Sequence, residues 1–200
     1  MKNLLFIFLL LLITVDIKTD NSVIIEKVTD EQMKKLEWTN YHLEDLNYCI
    51  KKFEINTKER LCHFISQISY ESENGKFTQE RRNEAYCKIY EGRKDLGNTQ
   101  PGDGCKFKGA GYLLLTGRYN YQKFADFIGD KNIMKGASYV SVKYPWTSAG
   151  FFWHNYDINS LIDKGTSIQR LRKIFGGGGL DSGIPAKQIT KVYYKCKDIF

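Results

Sequence analysis

Two glutamates, Glu71 and Glu91, lie twenty residues apart in sequence contexts of different character. Glu71 lies near the end of an apolar pattern with helical spacing, whereas Glu91 is followed by a segment rich in turn-forming residues. Hydrolysis of a glycosidic bond requires two carboxyl groups in different environments, because one must be protonated as an acid and the other ionised as a base. This pair is therefore the first candidate for catalytic chemistry in the chain.

The helix that would carry Glu71 is predicted over residues 58–72, with Asn56 and Thr57 at its start. Its apolar stripe consists of Leu61, Phe64, Ile65 and Ile68. At about 100° per residue, Glu71 lies within roughly 20° of Phe64, at the C-terminal end of this stripe. Burial and the helix dipole both disfavour a charged carboxyl there, as a general acid requires. The alternative is a partly buried glutamate paired with a nearby arginine or lysine.

The rest of the sequence predicts one mostly α-helical domain without internal repeats. Thr29 and Gln32 form a capping box that opens a first helix. Apolar residues at helical spacing predict further helices over 42–53, 116–128, 147–156, 167–175 and from 185 onward. We expect Trp153 and its phenylalanine neighbours to belong to the core rather than to a sugar-binding surface.

The N-terminal segment is typical of a secretory signal. Lys2 provides a positive start, and residues 4–15 are apolar but too few to span a bilayer, which needs about 20 residues. We therefore assign residues 1–19 to a cleaved signal and residues 20–200 to the domain, which we expect to be secreted and extracellular. An uncleaved membrane anchor is the alternative.

The five cysteines fit an oxidising compartment. They are Cys49, Cys62, Cys87, Cys105 and Cys196. Because the number is odd, at most two bridges form within the chain and one thiol is left over. A Cys87–Cys105 bridge would brace the segment that contains Glu91, although spacing alone does not determine the pairing.

Several other function classes find no support in the sequence. The net charge is +7, but the basic residues are spread along the chain and no nucleic-acid-binding motif accompanies them. The three histidines and the cysteines lack the spacing of metal ligands, and the glycine-rich stretches lack the lysine and hydroxyl residue of a phosphate-binding loop. We therefore expect no metal, no organic cofactor and no nucleic-acid partner.

Two long stretches resemble the family 19 glycoside hydrolases, which are chitinases. Residues 84–104, EAYCKIYEGRKDLGNTQPGDG, and residues 107–121, FKGAGYLLLTGRYNY, are similar to consecutive segments of that family. The predicted helix over 58–72 is similar to the helix that carries the family's catalytic acid. The resemblance covers nearly the whole domain and implies an α-rich, lysozyme-like fold with two lobes, a cleft between them and long turn-rich loops.

The resemblance also implies roles for five residues. Glu71 would be the general acid, Glu91 the general base that activates water, and Thr116 a residue that helps to hold this water. Tyr119 and Asn120 would bind the sugar. The implied activity is endo-hydrolysis of β-1,4-linked N-acetylglucosamine, with inversion at the anomeric carbon, by a monomer that needs no cofactor and acts on chitin or its oligosaccharides.

The chain departs from the family pattern at four positions, where Tyr70, Ala110, Leu114 and Phe175 stand for a histidine, an arginine, a glutamine and an asparagine. Because both candidate carboxylates and the Thr116 hydroxyl are retained, we predict an active enzyme with altered substrate contacts or a reduced rate. Two alternatives stay open. One is an endolysin-like hydrolase that cleaves peptidoglycan, and the other is a non-catalytic chitin-binding protein.

Overall fold

The computed structural model describes residues 24–80, 84–175 and 183–200. The predicted signal at 1–19 and the glycine run at 176–179 lie outside the described residues. Within the described part of the chain, no helix is both long and apolar enough to cross a membrane.

The described residues form eleven α-helices joined by turns and short 3-10 helices. They are α1 (Asp30–Lys35), α2 (Leu43–Lys52), α3 (Lys58–Ser72), α4 (Glu84–Cys87), α5 (Asp103–Lys106), α6 (Arg118–Ile128), α7 (Ala137–Lys143), α8 (Pro145–Asn155), α9 (Ile158–Asp163), α10 (Ile168–Ile174) and α11 (Gly183–Ile199). The 3-10 helices are Lys88–Tyr90, Lys94–Leu96 and Lys131–Lys135. The prediction of a mostly helical domain is confirmed.

Local capping explains where the predicted helices begin. Thr29 and Gln32 form the expected capping box at α1, in which the Gln32 side chain accepts the Thr29 N–H at 2.8 Å. The Thr57 hydroxyl accepts the Arg60 N–H at the start of α3, and Pro145 occupies the first turn of α8. Helix α6 begins at Arg118, two residues later than predicted, because Gly117 has the positive φ of 91°.

The core forms around α3 and α8. Trp146 and Trp153 from α8 are fully buried, and both rings pack against Phe64 of α3 at 5.7 and 5.0 Å. This contact confirms that Trp153 is a core residue. Its indole N–H donates to the Asn159 side chain at 2.8 Å, so burial leaves this polar group with a partner.

Two disulfides join separate parts of the chain. Cys87 is bonded to Cys105, which confirms the predicted bridge across the segment that contains Glu91. Cys62 of α3 is bonded to Cys196 of α11, and the sequence did not predict this second pairing. Cys49 is the remaining thiol, and it is buried in the core.

Candidate active site

The predicted acid, Glu71, forms an ion pair with Arg172 of α10. The Glu71 side chain is 30% exposed and that of Arg172 is 18% exposed. The guanidinium also lies over the ring of Tyr70, with 4.9 Å from its central carbon to the ring centroid. The alternative expectation for Glu71, a partly buried carboxylate paired with an arginine, is therefore what the structure contains.

The predicted base, Glu91, is bonded to the backbone of its own loop. Oε1 accepts the Gly102 N–H at 2.6 Å, and Oε2 accepts the Gly104 N–H at 2.8 Å. A Cβ atom on Gly104 would lie 2.7 Å from the Cys87 carbonyl oxygen and 2.9 Å from Glu91 Oε2, so only glycine fits there. Each oxygen of this carboxylate therefore already has a structural hydrogen-bond donor.

The remainder of the loop is held by buried polar groups. The Asn98 side chain donates to the Tyr90 carbonyl at 2.9 Å and accepts the Arg118 N–H at 2.8 Å. The Asp103 carboxylate accepts two bonds from the Arg118 guanidinium and one from the Gln100 N–H. The bonds from Arg118 hold the pKa of Asp103 below its usual value. The loop over 88–108 is thus a self-supporting unit anchored to the start of α6.

Three short segments lie side by side next to this loop. Gln79 forms an antiparallel bridge with Ala110, and Ala110 forms another with Leu115. The Glu80 N–H donates to the Gly109 carbonyl at 2.9 Å, and the Leu115 N–H donates to the Ala110 carbonyl at 2.7 Å. These bonds place residues 78–80 beside the segment that leads into Thr116.

A third glutamate, Glu80, is therefore a candidate that the sequence did not identify. Its Oε1 accepts the Tyr90 hydroxyl at 3.2 Å, whereas its Oε2 is buried without a hydrogen-bond partner among the described residues. A Cβ atom on Gly109 would lie 3.4 Å from the Glu80 Cβ and 3.0 Å from the Leu114 Cβ, so these two side chains share one side of the bridged segments. In the sequence, Glu80 could have been noticed only as an acidic residue nine positions after Glu71.

The predicted sugar-binding residues are only partly brought together. Thr116 and Asn120 line one depression of about 650 Å³, together with Leu114. The Asn120 side chain donates to the Thr116 carbonyl at 2.8 Å, and the Thr116 hydroxyl donates to the Leu114 carbonyl at 2.7 Å. Tyr119 is exposed beside this depression, with the Lys123 ammonium 4.3 Å from its ring centroid.

The candidate carboxylates do not line this depression. Glu71 lines a second one of about 670 Å³, which also contains Tyr70, Lys191 and Lys195. Glu91 lines neither of the two. Across the part of the chain that the structure describes, no group of three or more His, Cys, Asp or Glu side chains is arranged to hold a metal ion.

Comparison with known proteins identifies similar sequences and folds. No protein-family model matches the chain. A glycosyl hydrolase family 19 domain-containing protein from Haemophilus influenzae is 30% identical over 99 residues, which are 47% of this chain and 46% of that protein. The chain therefore spans about half the length of the curated relative that it matches.

Two bacterial chitinase structures are similar over 86% of the chain. Chitinase C from Streptomyces griseus HUT6037 has a TM-score of 0.68 and 17% identity, and the match covers 76% of its chain. A second bacterial family 19 chitinase has a TM-score of 0.69 and 17% identity, and the match covers 94% of its chain. The chain thus has the α-rich, lysozyme-like fold of the family 19 chitinases.

Proposed function

We propose that this chain is a secreted endochitinase that hydrolyses β-1,4-linked N-acetylglucosamine polymers with inversion at the anomeric carbon. The observation that supports this most directly is the depression lined by Thr116 and Asn120 in a fold shared with chitinases. Two residues that were expected to contact water and sugar share this depression. The bridged segments bring the Glu80 side chain next to Leu114, which also lines it.

Glu71 is the proposed general acid that protonates the leaving oxygen. Its position near the C-terminal end of α3 and its contact with Arg172 fix the carboxyl relative to two helices. An acid in this reaction must approach the glycosidic oxygen within hydrogen-bond distance, so a defined side-chain orientation is a requirement for catalysis.

The proposed general base is Glu80, and Glu91 is the competing assignment. A base must accept a hydrogen bond from the attacking water, which requires an available carboxylate oxygen. Glu80 Oε2 is buried and has no hydrogen-bond partner among the described residues, so a water that reached it would be its first partner, whereas both Glu91 oxygens already accept backbone N–H groups. An inverting pair also needs room for a water between the carboxyls, which are about 6.5–9.5 Å apart in such enzymes.

Secretion is proposed on the basis of the N-terminal segment and the disulfides. Two disulfides among the described residues are typical of a protein that folds in an oxidising compartment. Expression of the full chain with its first residues, followed by N-terminal sequencing of protein from the medium, tests both export and the position of cleavage. Retention of the intact chain in membranes would support an anchor instead.

The activity is tested by turnover of a chitin hexamer, with wild type compared with Glu71→Gln, Glu80→Gln and Glu91→Gln. We expect cleavage by the wild type, α-anomeric products by NMR, and loss of activity in Glu71→Gln and Glu80→Gln. Loss of activity in Glu91→Gln with full activity in Glu80→Gln would identify Glu91 as the base, as the sequence resemblance implies. Cleavage of bacterial cell walls but not of the hexamer would indicate a peptidoglycan hydrolase. Binding without cleavage would indicate a chitin-binding protein.

A further inference from the structure

Three aromatic side chains form a stack at the C-terminal end of α8. The Tyr156 and Phe152 rings have centroids 4.4 Å apart and an interplanar angle of 33°. Phe152 also packs against Phe175, with centroids 5.3 Å apart at 34°. The outermost ring, Tyr156, is 54% exposed. The stack therefore presents one aromatic residue to solvent and supports it with two more.

The surrounding structure fixes this stack in place. The Tyr156 N–H donates to the Phe152 carbonyl at 3.2 Å, and the Asp157 N–H donates to the His154 carbonyl at 3.0 Å. Phe175 also contacts the buried Trp153, with ring centroids 6.0 Å apart. A ring that packs against a neighbour on a hydrogen-bonded backbone has less conformational entropy to lose when a ligand packs against it, so this surface is suited to binding.

The stack borders the depression that contains Thr116 and Asn120. Phe152 and Tyr156 line it, and so does the exposed carboxamide of Asn155 between them in sequence. The volume of about 650 Å³ falls within the range of about 300–1,000 Å³ that is usual for ligand pockets. The lining thus combines an apolar aromatic surface with amide and hydroxyl groups, and none of the described residues that line it is acidic.

We propose that Tyr156, supported by Phe152 and Phe175, is the stacking platform of a glycan subsite, and that Asn155 supplies a hydrogen bond to the bound sugar. The occupant is one N-acetylhexosamine unit of a β-1,4-linked chain whose neighbouring unit contacts Thr116 and Asn120. A pyranose ring has an apolar face of C–H groups that packs on an aromatic ring, and a polar edge that requires amide or hydroxyl partners. The identity of the glycan rests on the proposed function.

The test measures binding of chitin dimer and hexamer by calorimetry in a Glu71→Gln background, which prevents turnover if the proposed acid is correct. We expect Tyr156→Ala to weaken hexamer binding about tenfold, which is near the upper end of the range for the loss of one aromatic contact. Tyr156→Phe keeps the ring and should bind as the parent does. The matched control is Tyr194→Ala, which removes a 62% exposed tyrosine of α11 outside the depression.

A second readout separates a subsite from general damage to the fold. Loss of a stacking platform should reduce the preference for hexamer over dimer, whereas destabilisation should lower the midpoint of urea unfolding. Unchanged hexamer binding by Tyr156→Ala, an equal loss in Tyr194→Ala, or no hexamer binding by the parent would each overturn the proposal. If hexamer binding depended on Tyr156 but the wild type showed no turnover, the proposed hydrolase activity would be rejected and the proposed subsite would stand.

Discussion

Arg172 holds Glu71 in an ion pair that joins α10 to the end of α3 across 101 residues of sequence. The guanidinium contacts both the carboxylate and the Tyr70 ring, and its Nε is buried without a partner among the described residues. Tyr70, one of the departures from the family pattern, therefore contributes a contact that positions the arginine. The orientation of the proposed acid depends on both helices.

Removal of Arg172 should lower the turnover number more than it lowers stability. We expect Arg172→Ala to reduce kcat on chitin hexamer by about 100-fold, because a displaced acid no longer meets the leaving oxygen. Arg172→Lys should recover part of this loss, since an ammonium keeps the charge but not the planar contact with Tyr70. Steady-state kinetics on Arg172→Ala, Arg172→Lys and the exposed neighbour control Lys173→Ala would measure this, and an unchanged kcat in Arg172→Ala would contradict it.

Measurements of both stability and activity should distinguish the roles of the two candidate bases, Glu80 and Glu91. Glu91→Gln should lower the free energy of unfolding by about 1–3 kcal/mol, because an amide NH₂ would replace an oxygen that accepts a backbone N–H. Glu80→Gln can keep the bond from the Tyr90 hydroxyl, so we expect normal stability and lost turnover.

Urea unfolding and hexamer cleavage on the same two variants provide the measurement. Glu91→Asp is a useful companion, because it keeps the charge and both acceptor oxygens but shortens the side chain. The assignment would be wrong if Glu91→Gln unfolded like wild type and had no activity.

Local rules were sufficient to predict most of the helical framework. Thr57 marks the start of α3 because a side-chain cap acts within one helical turn, whereas α8 begins at Pro145, two residues before the predicted start. The burial of Trp153 followed from the usual preference of large apolar side chains for the core. The Cys87–Cys105 bridge could be proposed because both cysteines flank the same loop, whereas the Cys62–Cys196 bridge depends on the packing of α3 against α11.

The roles of the glutamates could not be derived in the same way. Glu91 binds Gly102 and Gly104 only because the loop turns back on itself, and no periodicity in the sequence encodes that path. Glu80 lies near Leu114 because the adjacent Gln79 forms a bridge with Ala110, which is far away in the sequence. Sequence similarity to a known family locates such residues. It does not distinguish a carboxylate that supports a loop from one that could activate water.

The two disulfides should contribute unequally to stability. Loop-closure entropy predicts a loss of about 3 kcal/mol for a Cys87→Ser/Cys105→Ser variant and about 5 kcal/mol for Cys62→Ser/Cys196→Ser, because the sequence separations are 18 and 134 residues. Urea unfolding with and without a reductant measures both losses. As a control, the reductant should have no further effect on a variant that lacks all four cysteines. If the reductant did not change the unfolding midpoint of the wild type, the prediction would be contradicted.

Two buried groups should make stability depend on pH in opposite directions. Burial lowers the pKa of His63 to about 4, against a smaller opposing effect of Glu59. Burial raises the pKa of Asp45 to about 6, although its carboxylate accepts bonds from Trp146 and Thr147. Between these limits the unfolded chain binds more protons at His63, and the folded chain binds more at Asp45. The pH dependence of the unfolding free energy of the wild type alone therefore does not isolate the contribution of either residue.

Comparison with a His63→Leu variant isolates the histidine. As the pH falls from about 6.5 to about 4, the unfolded chain gains a proton that the folded chain excludes, so wild type should lose up to about 3 kcal/mol relative to the variant. At pH 7.5 the imidazole is neutral in both states, and any difference there reports only the loss of packing against Tyr193, whose ring centroid lies 4.6 Å away. Urea midpoints of both proteins from pH 4 to 7.5 measure the effect. Parallel curves across this range would show that His63 accepts a proton as readily in the folded protein as in the unfolded chain.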